Sequence, residues 1–321
     1  MTRPETIYIL GAGAIGLSLA AFLTSERRQA IAVRTSTNEV TTEEIKVTVT
    51  HGVDPALTVS VETVSLSNLT AMDGIIVITA KAYANPVIAS ALAAKNIMGP
   101  LVIMQNGIGV ERPFLVSLPG PVYRCMLYVT SQLTAKNSIV FRPIASSPIG
   151  IMRGTEIELN QCVASLTTPG FQFHSELNLQ PEIWKKAIIN SVFNSICPLL
   201  EVDNGIFVRN HAAAKLAAEL IHECVNLAKR NSIVLTESGL MEQIMRISRG
   251  SDGVLISTLQ DIKNGRASEI EHLNLELARI ASTIKPKIRL TKTTLLGKMI
   301  QVKSACKGAP IETYRNSVVV S

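Results

Sequence analysis

Aromatic residues make up only 4% of the 321 positions, with a single tryptophan among them. A nucleic-acid groove needs clustered Lys and Arg with aromatic platforms between them. Here the basic residues are spread along the chain, so no nucleic-acid partner is expected. Charge of one sign is also not in large excess: Lys plus Arg number 31 against 25 acidic residues, a net +6. That balance suits either a soluble basic protein or one that takes small anions such as phosphates and carboxylates. Cysteine is sparse and unpaired in pattern. Cys125, Cys162, Cys197, Cys224 and Cys306 are odd in number, contain no CxxC and show no metal-ligand spacing. They read as free thiols of a reducing cytosol, with no metal site, and the expected location is cytoplasmic. His222 and Cys224 stand two apart, on different faces of a helix.

Long apolar runs are few. Residues 7–23, IYILGAGAIGLSLAAFL, carry no charge, but Glu5 precedes them and glycines interrupt them. A secretory segment wants a basic start and a small-residue cleavage site, so neither a signal peptide nor a membrane partner is expected. Internal repeats and low-complexity linkers are missing too. What remains is a globular composition, 47% hydrophobic and 17% charged, long enough for two domains of about 150 residues each.

The first half has the pattern of a dinucleotide cradle. IYIL (7–10) is β-rich, GAGAIG (11–16) follows, and LSLAAFLTSERR (17–28) reads as a helix. In that context Gly11 permits a tight turn, Gly13 lets a pyrophosphate approach the backbone, and Gly16 lets helix and strand pack closely. The helix N-terminus then faces the phosphates with its unpaired N–H groups, and Ala14 and Ile15 of the turn are counted with the glycines as cofactor-binding. AIAVRTST (30–37) reads as the second strand. It ends at Arg34, followed by Thr35, Ser36 and Thr37, where an NAD enzyme usually has a carboxylate for the ribose 2′-OH. A guanidinium with hydroxyls suits a 2′-phosphate, so NADP(H) is the expected cofactor; the plain alternative is an exposed loop arginine. DGIIVITAK (73–81) ends at Lys81, and LVIMQNGIG (101–109) ends in Gln105, Asn106 and Gly107. Polar residues at the carboxyl ends of parallel strands border the ligand crevice, although Asn-Gly is also a turn signal by itself. LYVTSQL (127–133) and SIVFRPI (138–144) read as later strands, with an antiparallel addition to the sheet left open. Residues 145–180 are the least legible.

From Gln180 the pattern becomes helical. In WKKAIINSVFNSI (184–196), Lys186, Asn190 and Asn194 step round a helix by only about 40° each, forming one stripe. Trp184, Ile188, Ile189, Val192, Phe193 and Ile196 cover much of the rest, which marks a buried helix. An ammonium inside it needs partners or a role. The alternative is a lysine that snorkels to water beside asparagines that satisfy nearby carbonyls. Further on, Ser257 and Asp261 are one helical turn apart, Gly265 can end their helix, and Ser268 with Glu271 matches a capping box. That box puts Glu269 in the first turn of the next helix, where an acid suits the helix dipole.

Together GAGAIG, AKAYAN (80–85), MQNGIG (104–109), WKKAIINSVFN (184–194) and STLQDIKNGRASEIE (257–271) resemble, in order and spacing, the ketopantoate reductases (2-dehydropantoate 2-reductases). The resemblance implies an α/β chain: an N-terminal Rossmann-type doubly wound sheet (1–178) followed by an all-helical C-terminal domain (179–321), with the active site between them. It implies NADPH-dependent reduction of 2-ketopantoate to D-pantoate, on the route to pantothenate and coenzyme A. Lys186 takes the place of the family's general acid, Asn190 and Asn194 of the groups holding the substrate's hydroxyl end. Glu269 orients substrate and lysine, and Ser257 binds the carboxylate. Asn106 and Lys81 stand at the cofactor–substrate junction, and Arg34 matches the 2′-phosphate ligand. The partner is thus a small 2-keto acid, with a homodimer left open. The chain departs from the family at Ile256 and Thr258, where Ser and Met are common, and Ser268 replaces a Thr. The rival readings are a dehydrogenase for another 2-keto or 2-hydroxy acid, a β-hydroxyacid dehydrogenase, and an NADP-binding sensor without catalysis.

Overall fold

The computed structural model describes residues 5–35, 41–52 and 55–307. The chain divides into two compact units, Met1–Asn106 with Val110–Leu179, and Gly107–Gly109 with Gln180–Ser321.

The first unit is built on one sheet. In chain order its elements are β1 (Thr6–Leu10), α1 (Ala14–Ser25), β2 (Ala30–Arg34), β3 (Thr42–His51), β4 (Leu57–Ser65), β5 (Gly74–Ile78), α2 (Asn85–Ala94), β6 (Leu101–Ile103) and α3 (Arg112–Ser117). They continue with β7 (Val122–Cys125), β8 (Val129–Ala135), β9 (Ser138–Pro143), β10 (Ser147–Arg153), α4 (Glu156–Leu166) and β11 (Phe173–Ser175). Among the described residues the sheet has eleven strands, ordered β11-β10-β7-β6-β5-β1-β2-β4-β3-β9-β8. The stretch from β7 through β6, β5, β1 and β2 to β4 is all parallel. β3 returns antiparallel beside β4, β10 antiparallel beside β7, and β8 and β9 form an antiparallel pair at one edge.

The central strands are apolar without alternation because both of their faces are covered. Ile7, Ile9, Ile75 and Val77 face the core that includes Leu19, Phe22 and Leu23 of α1 and the phenylalanines 141, 171 and 173. Ile31, Val33, Ile76 and Ile78 face the opposite core, with Ile88 and Leu92 of α2 and Phe114 of α3. The sheet is therefore wound on both sides, and its parallel strands turn away from each other at β1. Sequence outward from β1 runs through β2 and β4 on one side, and through β5, β6 and β7 on the other. Ligands of such sheets bind at the carboxyl ends beside this switch point.

The second unit is helical: α5 (Gln180–Leu200), α6 (Ile206–Arg209), α7 (His211–Arg230), α8 (Glu237–Gly250), α9 (Ser257–Lys263), a 3₁₀ turn at Ile270–His272, α10 (Asn274–Thr283) and α11 (Thr291–Cys306). α5 packs against α7, α8, α9 and α11 and against the 3₁₀ turn. α7 is amphipathic, burying Ala213, Ala217, Leu220, Ile221, Cys224 and Leu227 at helical spacing. No described helix is long and apolar enough to cross a membrane.

The expected capping box at Ser268–Glu271 is not formed. Glu269 stands just before the 3₁₀ turn, no side chain caps that turn, and the chain bends at Leu273 (φ −117°, ψ −103°) before α10 begins. Glu271 accepts a hydrogen bond from Gln301 on α11, so its carboxylate is drawn away from Ser268. The box that does form lies in the stretch that is hardest to read from sequence. Glu158 N donates to Thr155 Oγ1 at 3.3 Å, and Thr155 N donates back to the Glu158 carboxylate at 3.0 Å, opening α4.

α11 has no cap from its own sequence. Its first turn is held by Glu223 of α7, which accepts from Lys292 N (3.0 Å), Thr293 N (2.9 Å) and Thr293 Oγ1 (2.8 Å). A carboxylate at a helix N-terminus satisfies orphan N–H groups and opposes the dipole. Glu223→Ala is expected to lower the unfolding free energy by about 1–2 kcal/mol, as for a lost N-cap, with the denaturant m-value unchanged. A midpoint equal to wild type in urea unfolding would contradict this role.

Candidate functional site

The turn from β1 into α1 is made by contact. Gly11 has φ +123°, and a Cβ there would lie 2.3 Å from Ala80 N. A Cβ on Gly16 would lie 2.0 Å from Gly11 O and 2.6 Å from Thr79 Oγ1. Thr79 N and Ala80 N both donate to Leu10 O, at 2.9 and 2.8 Å, and Thr79 Oγ1 donates to Gly11 O at 2.8 Å. The end of β5 and the end of β1 are thus locked together with no room for a side chain between them. Gly13 is different. Its backbone is ordinary (φ −91°, ψ −171°), and its Cβ would meet nothing within 4 Å. Neither the backbone nor the packing of the chain demands glycine at this position. Gly13 is exposed, no side chain caps α1, and Ala14 and Ile15 are only half-buried in its first turn. An open face above uncapped N–H groups fits the close approach of a pyrophosphate.

Arg34 is the last residue of β2, at the same carboxyl edge of the sheet. Its guanidinium is already paired: Nη2 donates to Glu43 of β3. Of the hydroxyls expected to follow it, Thr35 is half-buried, while Ser36 and Thr37 lie outside the described residues. Lys81 stands beyond the end of β5, half-buried, at the start of a 3₁₀ turn (82–84). Asn106 follows β6 and is half-buried as well. What connects their two loops is not foreseen from the sequence. Asn85 and Gln105 exchange amide hydrogen bonds at 2.8 and 2.7 Å, both side chains being buried. Asn85 Nδ2 also donates to Val110 O (2.8 Å), and Gln105 Nε2 to Ala80 O (2.6 Å). A buried amide pair closed on itself is costly to break and holds its backbone rigidly. Its only trace in the sequence is an amide on each side of two apolar segments.

In the second unit, α5 carries Lys186, Asn190 and Asn194 along one stripe. Trp184, Ile188, Ile189, Val192, Phe193 and Ile196 are all buried, as expected of a core helix. The stripe itself is graded: Lys186 and Asn190 are half-buried, and Asn194 is 4% exposed. Lys186 is therefore less enclosed than a helix apolar on every side would make it. Asn194 Nδ2 donates to Asn190 O at 2.9 Å, which fixes the amide orientation, since a carbonyl oxygen can only accept. Asn194 Oδ1 is then left buried with no hydrogen-bond partner among the described residues. Such a group costs on the order of 1–3 kcal/mol unless something supplies a donor. Lys185, one residue away, faces elsewhere. Its Nζ lies 3.4 Å from Glu182, and it lines a cavity of ≈ 340 Å³ with Val234, Gly239 and Arg246.

α9 and the 3₁₀ turn both pack on α5. Ser257 is the first residue of α9 and is exposed. Glu269 is half-buried beside the turn. Asp261, which shares the Ser257 face in sequence, is engaged within its own loop. Its buried carboxylate accepts from Arg266 Nε at 2.9 Å, closing the chain between them. Gly107, with φ +106°, packs so closely that a Cβ would lie 2.7 Å from His272 O, and Ile108 N donates to that same oxygen at 3.0 Å.

Residues 7–154 match the family model described as "Ketopantoate reductase PanE/ApbA", and residues 178–301 match "Ketopantoate reductase PanE/ApbA C terminal". A 2-dehydropantoate 2-reductase of Pyrococcus abyssi is 26% identical over 307 residues, spanning 94% of this chain and 99% of the relative. Among solved structures, a PanE/ApbA family ketopantoate reductase from Ralstonia eutropha superposes with a TM-score of 0.81 at 18% identity, covering 94% of this chain and 99% of that one. A D-mandelate dehydrogenase solved with NADH and anilino(oxo)acetate gives the same TM-score, 0.81, at 19% identity, covering 95% and 100%.

The two glycine environments separate stability from binding. Gly16→Ala should destabilise the fold by about 1–3 kcal/mol through overpacking. Gly13→Ala should leave the melting temperature near wild type and weaken dinucleotide binding by roughly tenfold or more, the effect of a methyl group in the path of the pyrophosphate. A Gly13→Ala protein that melts early and binds normally would reverse this assignment.

Proposed function

Because the chain belongs to the ketopantoate reductase family, we propose that it reduces 2-ketopantoate to D-pantoate with NADPH, a step toward pantothenate and coenzyme A. The observation that carries the reading is the α5 stripe, in a chain whose two halves both match models of that family. Gly11, Gly13, Ala14, Ile15 and Gly16 would hold the pyrophosphate. Arg34 would take the 2′-phosphate, and Lys81 and Asn106 would border the nicotinamide end. When bound, this cofactor supplies a hydride to C2 of the keto acid.

The remaining chemistry belongs to the chain. As C2 is reduced, negative charge grows on its oxygen, and Lys186 Nζ donates the proton that neutralises it. Asn194 offers the buried Oδ1 as an acceptor for the substrate hydroxyl, with its amide nitrogen anchored on Asn190 O. Asn190 extends the same polar stripe. The Ser257 hydroxyl would donate to the substrate carboxylate, and Glu269 would orient substrate and lysine. The open acceptor on Asn194 supports a substrate that carries a hydroxyl group, which 2-ketopantoate does. A second reading, a dehydrogenase for another 2-keto acid, keeps Lys186 and dispenses with that acceptor.

The test is steady-state oxidation of NADPH and NADH with a panel of 2-keto acids, 2-ketopantoate included. 2-Ketopantoate with NADPH should give the highest kcat/KM. A preference for a keto acid that has no hydroxyl would favour the second reading. In the same assay Lys186→Ala should lower kcat by roughly 10²–10⁴, the usual worth of a positioned general acid. Lys185→Ala serves as the control and should stay active, since it faces the cavity beside α8. If Lys185→Ala is the inactive variant, or both remain active, the stripe is not the proton donor.

A further inference from the structure

We propose that Glu43 tempers the preference of this chain for NADPH, by occupying the Arg34 guanidinium that a 2′-phosphate must take. The proposal rests on the reading of Arg34 as the 2′-phosphate ligand. Arg34 pairs across the sheet with Ser65 at the end of β4, and Glu43 pairs with Thr63 of the same strand. β4 therefore lies between the two charged residues, and their side chains meet across it. The register is pinned there: Thr41 Oγ1 and Ser65 Oγ are 2.9 Å apart, Thr41 N donates to Ser65 Oγ at 3.3 Å, and Thr63 Oγ1 donates to Glu43 O at 3.0 Å. The carboxylate is brought to the guanidinium by strand pairing.

A carboxylate and a phosphate use the same guanidinium donors, so they compete for them. The 2′-phosphate of NADPH must displace Glu43 and then lie beside its negative charge. The 2′-OH of NADH makes neither demand, and a carboxylate at the end of the second strand is the group that accepts from such a hydroxyl. The edge thus carries both determinants, Arg34 for the phosphate and Glu43 for the hydroxyl. The side chains are 31% and 48% exposed, so water and salt weaken the pair. Glu43 can then lower the preference for NADPH without reversing it.

The test is fluorescence titration of the full-length protein with NADPH and with NADH, for wild type, Glu43→Gln, Arg34→Ala and the double variant. Glu43→Gln should tighten NADPH roughly two- to fivefold, the scale of an exposed charge pair, and leave NADH unchanged or weaker. The NADPH gain should shrink in the Arg34→Ala background, because the two residues act on one another. It should also shrink at high salt. The proposal is overturned if Glu43→Gln weakens NADPH binding, or shifts both cofactors equally. Binding is read without substrate, so a protein inactive on 2-ketopantoate still tests Glu43. Failure to bind either dinucleotide would overturn both this proposal and the cofactor reading beneath it.

Discussion

The turn between β1 and α1 can exist only because no side chain stands between it and the end of β5. Gly11 and Gly16 each leave a gap that a methyl group would close against backbone atoms. That contact aims the N-terminus of α1 along the carboxyl edge of the parallel sheet. It also brings Thr79 and Ala80, and with them the approach to Lys81, to the end of β1. The Asn85–Gln105 amide pair extends the same rigidity to the loop that carries Asn106. One close approach therefore organises the positions assigned to the cofactor in the first unit.

The second unit meets a different constraint. α5 buries most of its surface, yet it carries a lysine and two asparagines on one line. The helix satisfies its own serines by back-bonding, Ser191 to Ala187 O and Ser195 to Ser191 O. Asn194 is treated otherwise. Half of its amide is anchored and the other half is left buried without a donor among the described residues. Asn204 and Asn274 also keep a buried Oδ1 without a donor among the described residues, so what marks Asn194 is its place on the same line as Lys186 and Asn190. Lys186 and Asn190 lie toward the more open end of that line.

Much of this is legible in the sequence, and the parts that are not have physical reasons. The apolar runs at β1, β2, β5 and β6 announce themselves because strands covered on both faces do not alternate. β3 and β4 are harder to see. Their Thr-Val alternation is diluted by Glu43, Glu44, Lys46 and Glu62, as suits strands with one wet face. Glu43 is hidden with them, although it holds the arginine that the sequence does reveal. The capping motif misleads in one place and is easily overlooked in another. Thr155-x-x-Glu158 begins a helix that buries Leu159, Cys162 and Leu166, so its box closes. Ser268-x-x-Glu271 precedes a bend and loses its glutamate to Gln301. Local pattern makes a cap only where the chain runs on from it as a regular helix, and after Ser268 it runs into a 3₁₀ turn and the bend at Leu273 instead.

Proton donation by Lys186 is the step on which the proposed chemistry depends. A general acid must be protonated to act, so kcat/KM for keto-acid reduction should fall as pH rises through the titration of that lysine. The most direct measurement is this pH profile, taken for wild type and for Lys186→Ala under identical conditions. With Lys186 as the donor, the variant should be slow at every pH and lose the falling alkaline limb altogether. An unchanged alkaline limb in Lys186→Ala would show that another group donates the proton.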